Sequence, residues 1–402
     1  MRLASRQAST RVEMSSNPQP SIAQLFTSFL RLGITAFGGP SMVAYIRRLV
    51  VEKRGWLDAE ALNDGVALCQ MIPGATAMQM AGYVGLKTRG ITGAGASFVG
   101  FGLPAFVLMM VFAALYTYTR SQSVVVSVFS GLHAIIVAIV ANATLSFGRT
   151  TLRDWRTLAI AGVAAALFGL KVNPLLAILT AAVGGMVLVR PKGRGWGHSI
   201  PSPECRRPYA RPLLLMLAAF AAGLALLFFL NRILFDLAVL MLRIDLFAFG
   251  GGFASVPLML HEVVQARHWL DSRTFMDGIV LGQVTPGPIV ITATFVGYLV
   301  GGPLGGLVAT VSIFLPSFIV LAAVSPHFDR LRASPVFNRV ISGVLCSFVG
   351  LLLTVTVRFA MNVPRDLPHL LLASVAFVAL LLRVDILWVV VAGTLISVVV
   401  FT

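Results

Sequence analysis

The chain has 402 residues, 57% of them hydrophobic and only 11% charged, with a formal net charge of +16. A soluble domain carries about a quarter charged residues, so this composition excludes a water-solvated globule and points to a chain solvated mostly by lipid. Nucleic-acid binding is excluded too, since no basic stripe is interleaved with exposed aromatics; the charge reads as a positive-inside excess in loops, with an anionic substrate as the sharper reading.

The first twenty residues, MRLASRQASTRVEMSSNPQP, are polar and carry three arginines. They lack an apolar h-region and a small-residue cleavage site, so residues 1–21 read as a cytoplasmic N-terminal tail, not a signal peptide. From Ile22 to Phe401, apolar runs recur at bilayer-spanning length, which takes roughly 20 residues. In the first half they lie near 22–46, 61–86, 92–118, 124–147, 157–170 and 174–190. Residues 191–233 form a basic linker followed by an unmatched run, LLLMLAAFAAGLALLFFL (213–230), that is long enough to cross alone.

Beyond the linker the pattern begins again. Shifted by 212 residues, LRLGITAFGGP from Leu30 meets LRIDLFAFGGG from Leu242, Asp154 meets Asp366, Gly131 meets Gly343, and Pro104 meets Pro316. With one residue inserted, WLDAEALNDGVALCQMIPG from Trp56 meets WLDSRTFMDGIVLGQVTPG from Trp269. The chain is a duplication, with repeats at 22–190 and 234–402. An even number of crossings per repeat plus one linker helix starts the second repeat from the opposite face. The expected fold is an all-α polytopic membrane protein. It is an inverted-topology repeat of two six-segment halves joined by one linker helix, with about 13 membrane segments, some broken or re-entrant. Lys and Arg concentrate on the amino-terminal side of this scheme, with the RRLVVEKR stretch after the first segment as the exception.

Each repeat carries breaks where a break is unfavourable. Pro73–Gly74 and Pro286–Gly287–Pro288 interrupt apolar segments. From Ala61 to Ile72 is about 18 Å of helix, against a hydrocarbon core of roughly 30 Å, so the interruption falls near mid-membrane. A second pair of breaks is available at Gly38–Gly39–Pro40 and Gly250–Gly251–Gly252. Bare backbone is tolerated at that depth only where protein buries it or it lines a watery cavity. Where a helix resumes, its first N–H groups lack partners and carry about half a positive charge. Two such starts aimed at one point would make an anion site largely of backbone. Simple packing kinks are the competing account, weakened by the matched placement and by a glutamine, Gln70 or Gln283, three residues before each proline.

Arg31 and Arg243 each sit seven residues, two helical turns, before a glycine pair and so share its face; arginine offers donors suited to a tetrahedral oxyanion. Asp58 and Asp271 read as helix N-caps. Asp64 and Asp277, one or two turns on, are the candidates for carrying protons. Asp245 lies outside the repeated pattern, opposite Gly33, and His133 reads as a packed polar contact. The three cysteines are too widely spaced for zinc or redox pairs. No Walker A, HExxH or paired-aspartate metal motif occurs, so no cofactor, metal or catalytic residue is assigned and any transport is secondary or passive.

FLRLGITAFGGP, WLDAEALNDGVALCQMIPG and their second-half counterparts resemble the chromate ion transporter family in its long two-domain form, over nearly the whole chain. The resemblance implies a bacterial inner-membrane exporter of chromate with antiparallel homologous halves, driven by the proton-motive force and conferring chromate resistance. By motif it places substrate binding on Arg31, Gly38, Gly39, Pro40, Gln70, Pro73 and Gly74. In the second repeat it places it on Arg243, Gly250, Gly251, Gln283, Pro286, Gly287 and Pro288. Two departures stand out: Ala75 where a second proline is expected, and Gly252 in place of proline. The partners implied are chromate or a related oxyanion, the lipid bilayer and protons; oligomeric state, a homodimer included, is left open. The rival readings are a transporter of sulfate or another tetrahedral oxyanion and, more distantly, a membrane-embedded enzyme such as a chromate reductase.

Overall fold

The computed structural model describes residues 19–37, 41–189 and 210–401, and all regular structure among them is helical. Residues 1–18 of the expected tail, the Gly38–Gly39–Pro40 break and most of the basic linker fall outside the described residues. The first repeat comprises α1 (Ile22–Thr35), α2 (Ser41–Arg47, continued by π-helical Arg48–Lys53), α3 (Ala59–Met71), α4 (Thr76–Thr119), α5 (Ser123–Thr151), α6 (Trp155–Gly169) and α7 (Pro174–Leu188). The linker helix is α8 (Ala210–Leu230). The second repeat comprises α9 (Arg232–Phe247), α10 (Ser255–Met259, continued by π-helical Leu260–Ala266), α11 (Ser272–Val284), α12 (Thr292–Val324), α13 (Phe328–Ala333), α14 (Pro335–Asn362), α15 (Leu367–Leu381) and α16 (Ile386–Phe401).

The duplication extends to backbone irregularities. Left-handed residues recur in pairs: Gly55 and His268, Gly74 and Gly287, Gly90 and Gly302, Lys171 and Arg383. Asp58 and Asp271 accept the N–H of Ala61 and Thr274 at 2.7 and 2.8 Å, capping α3 and α11 as the sequence predicts.

α4 spans 44 residues but turns back on itself at Arg89–Gly90, and α12 does so at Gly301–Gly302. The Ser97 hydroxyl donates to the Ala81 carbonyl at 2.7 Å, and Thr294 meets Thr310 at 2.7 Å, contacts that only folded-back arms allow. α3 also doubles back, onto the first arm of α4, with the Tyr83 hydroxyl donating to the Ala61 carbonyl at 3.1 Å. In the second repeat Thr292 reaches the Gly278 carbonyl in the same way. The apolar stretch 61–86 and its counterpart are therefore helical hairpins with the proline–glycine break at the tip, not continuous rods. The first apolar stretch is likewise interrupted after Ala36. Length and composition suited to crossing a membrane belong to α4, α5, α8, α12 and α14, which with the shorter apolar helices make a multi-pass membrane protein.

The repeats meet through equivalent helices running in opposite directions. Along α4 and α12, Phe98 packs edge-on against Phe314 and Phe318, while Met110, further on, meets Gly306. Thr144 faces Thr356, its own counterpart, at 3.2 Å, as expected at a local two-fold axis. The terminal hairpins are exchanged: α6 and α7 pack on α14, and α15 and α16 pack on α5. Lipid tails are as apolar as leucine, so such contacts rest on close packing of small residues. A Cβ on Gly343 would sit 2.7 Å from the Cα of Gly185, so the α7 and α14 backbones touch. α8 rests on α9 and α12, and its most apolar stretch has no buried residue.

Candidate functional site at the interlocked helix breaks

Each proline–glycine tip is received by the first helix of the other repeat. The Gly74 N–H donates to the Ala248 carbonyl at 2.9 Å, just past the end of α9, and the Gly287 N–H donates to the Ala36 carbonyl at 3.0 Å, just past the end of α1. These bonds are related by the repeat itself. Both tips need φ near +120°, with Gly74 at 117° and Gly287 at 122°, a conformation open almost only to glycine.

After each tip a helix restarts. α1, α3, α6, α7, α9, α11, α14 and α15 all begin under a Ser, Asp or Asn side chain that accepts a first-turn N–H. α4 begins at Ala75 with no such cap, and so does the 3-10 turn Ile289–Ile291 that leads into α12; α5 and the short α10 and α13 are also uncapped. Both starts border the same glycines. A Cβ on Gly251 would lie 3.2 Å from Thr76 Oγ1, and one on Gly252 would lie 2.9 Å from Ile289 Cγ2. Consecutive Cα atoms are about 3.8 Å apart, so the two helix starts lie on the order of 10 Å from each other. Each presents first-turn N–H groups with no side-chain cap among the described residues, and the positive end of a helix dipole. Such a place suits a small anion.

The structure thus brings together Pro73, Gly74, Gly250, Gly251, Pro286, Gly287 and Pro288. Gln283, one turn before the second tip, has a buried Nε2 with no hydrogen-bond partner among the described residues; Gln70, its counterpart, is exposed. Arg243 points elsewhere, lining a crevice with Asn173, Pro174, Leu175, Leu258 and Glu262 near the turn between α6 and α7. Arg31 is exposed.

The acids divide. Asp64 ion-pairs with Arg332 of α13 at 3.0 Å, partly open to the surroundings. Asp277 is buried, held by His133 Nε2 at 2.6 Å and by the Tyr116 hydroxyl at 2.7 Å. His133, read from sequence as a packing contact, therefore bonds directly to a candidate proton carrier.

Sequence reasoning also set aside Asp245. It is 1% exposed and lies two residues, about 200° of helix, from Arg243. Pro316 cannot donate in α12 and opens the local ladder, and the following Ser317 gives Asp245 both its N–H (2.8 Å) and its hydroxyl (2.8–2.9 Å). Ser317 adjoins the first tip: a Cβ on Gly74 would overlap its Oγ at 1.8 Å. Gln79 closes the group, 0% exposed, its Nε2 donating to the Pro73 carbonyl while its Oε1 has no partner among the described residues. The one signal available was an acid in mid-segment of an apolar helix; Ser317 and Gln79 gave none.

The model of a family described as chromate transporter matches this chain twice, over residues 23–186 and 235–398. The chain is similar to an uncharacterised transporter of Methanocaldococcus jannaschii, 43% identical over 381 residues, covering 94% of each chain. It is 30% identical over 368 residues to the chromate transport protein of Cupriavidus metallidurans, covering 91% of this chain and 89% of that one. It is 28% identical over 365 residues to the probable chromate transport protein of Synechococcus elongatus, covering 90% and 91%. No solved structure matches.

Proposed function

Given that the chain belongs to the chromate transporter family, we propose that it is a secondary transporter that exports chromate across the bacterial inner membrane. In this reading the anion is held where the two helix restarts meet, between repeats of inverted topology with the amino terminus in the cytoplasm. The observation that carries it is the reciprocal pair of bonds from Gly74 to Ala248 and from Gly287 to Ala36, which sets both uncapped starts against Gly251 and Gly252.

The crossing arithmetic supports inversion. With the broken stretches counted as hairpins entered from one side, the second arm of α4 and helices α5, α6 and α7 leave four crossings per repeat. That number is even, and α8 again delivers the second repeat to the opposite face. Energetics support export driven by the membrane potential within the proton-motive force. One charge across 100 mV is worth about 2.3 kcal/mol, so a dianion leaving a negative interior gains about 4.6 kcal/mol, more than a thousandfold gradient. Removal of chromate by this route accounts for resistance.

Radiochromate uptake into inverted vesicles tests the proposal, with unlabelled sulfate as competitor and right-side-out vesicles for direction. Uptake confined to inverted vesicles and resistant to sulfate is expected; uptake by right-side-out vesicles alone reverses the direction, and full sulfate competition widens the substrate to tetrahedral oxyanions in general. Loss of flux in Arg31→Ala or Arg243→Ala assigns that arginine to the anion's path. Full flux in both confines the site to the breaks.

A further inference from the structure

Asp245 is a carboxyl inside the membrane domain with no basic partner. Among the described residues its only hydrogen-bonding partner is Ser317, and it takes part in no ion pair. No ionisable group on the elements around it bonds to it among the described residues. On α9, Arg232 pairs with Asp236, and Arg243 shares a crevice with Glu262. α12 carries only Tyr298, α8 only Arg211, and α10 none; the π-helical turn after α10 adds His261 and Glu262, and the first arm of α4 has Tyr83, Lys87 and, at its end, Arg89, whose Nε donates to the Pro20 carbonyl.

Around the first tip, one buried acceptor is left without a donor among the described residues. Two carboxylate oxygens, the Pro73 carbonyl and the unpartnered Gln79 Oε1 share the Ser317 N–H and hydroxyl and one Gln79 amide group. A proton on Asp245 removes a buried charge that no basic group among the described residues balances. The second tip has no such group. There the positions of Asp245 and Ser317 are taken by Gly33 and Ala105, and among the described residues a Cβ on Gly287 would meet only the Ala105 methyl, at 2.8 Å.

We propose that Asp245 is the site at which the transported anion takes up a proton: the anion bound at the breaks and the proton on Asp245 bind together and cross in the same direction. This rests on the reading that the breaks hold the anion. Ser317 alone separates the carboxyl from Gly74, so a charged Asp245 and a dianion at the tip would repel strongly at low dielectric. Coupling is reciprocal: an anion that favours the proton is favoured by it equally. A carboxyl so placed makes proton and anion companions, not competitors, so chromate leaves with one proton and one net negative charge, expelled by the membrane potential with half the driving energy of the bare dianion.

The test uses the purified full-length protein in weakly buffered detergent, with chromate added and protons taken up per chromate bound read by a pH dye. Wild type and Asp245→Asn are compared, so that protons carried by chromate itself cancel. We expect wild type to take up as much as one proton more per chromate than the variant. We also expect its chromate Kd to weaken about tenfold per pH unit on the alkaline side, a slope the variant lacks. An infrared difference spectrum of wild type, needing no variant, shows a chromate-induced protonated-carboxyl band. Equal proton counts in the two proteins, or chromate binding to wild type without that band, overturns this inference alone. Absence of chromate binding to wild type, or equal binding by Gly74→Ala, overturns the anion site and this inference with it.

Discussion

The two proline–glycine tips have nearly the same backbone and opposite chemistry. Gly74 and Gly287 differ by 5° in φ, 117° against 122°, and each donates to a carbonyl at the end of the other repeat's first helix. Yet the first tip rests against a hydroxyl that is bonded to a buried carboxyl, and the second against the methyl of Ala105. The acids of α3 and α11 show the same split, Asp64 in a partly open pair with Arg332 and Asp277 buried between His133 and Tyr116. The difference teaches that duplication preserved what the backbone requires and released the side chains facing the axis. One architecture then holds two inequivalent sites.

Substitutions can break that comparison. The largest effect is expected from Gly74→Ala, which combines an unfavourable positive φ with overlap of the Ser317 hydroxyl at 1.8 Å. Loss of about 4 kcal/mol should appear as a large fall in the thermal midpoint in detergent and loss of chromate flux. His133→Leu, which installs the residue found at the equivalent position 345, should lose about 3 kcal/mol by leaving Asp277 with Tyr116 alone. The same assay reads it, and Asp277→Asn added to it should restore part of the loss. Gly287→Ala meets a methyl at 2.8 Å instead of a hydroxyl at 1.8 Å, so a loss of about 2 kcal/mol is expected. Equal midpoints for the two alanine variants would show that the tips are equivalent after all. Smallest is Arg332→Gln. The pair it breaks is 17% and 34% exposed at its two side chains, and no more than roughly 0.5 kcal/mol should be lost.

What could be read from sequence follows the same division. The repeat, its breaks and the N-caps at Asp58 and Asp271 were legible because glycine, proline and capping acids act on their own stretch of backbone. The reversal at Arg89–Gly90 was not, since an arginine–glycine pair in an apolar run resembles a tolerated interruption; contacts such as the Ser97–Ala81 bond and the approach of Gly85 to Gly93 show the arms folded together. The partners of the acids were hidden for another reason. His133 and Asp277 are 144 positions apart, and Asp64 and Arg332 are 268 apart. No local pattern joins residues brought together by the meeting of two repeats. The arginines show the limit of periodicity: seven residues place Arg243 on a definite helix face, but the chain turns at Gly250 and Gly251, so that face looks towards Glu262.

The exchange of terminal hairpins bears on how the protein is made. Helices α6 and α7 leave the ribosome long before α14, the helix they pack on, has been synthesised. Until about residue 362 has entered the bilayer, the first repeat carries a seam of small residues, Gly185 among them, facing lipid. Maturation is therefore a late clasp, not a stepwise build, and a gene cut in the α8 region should yield a working protein only when both fragments are produced in the same membrane.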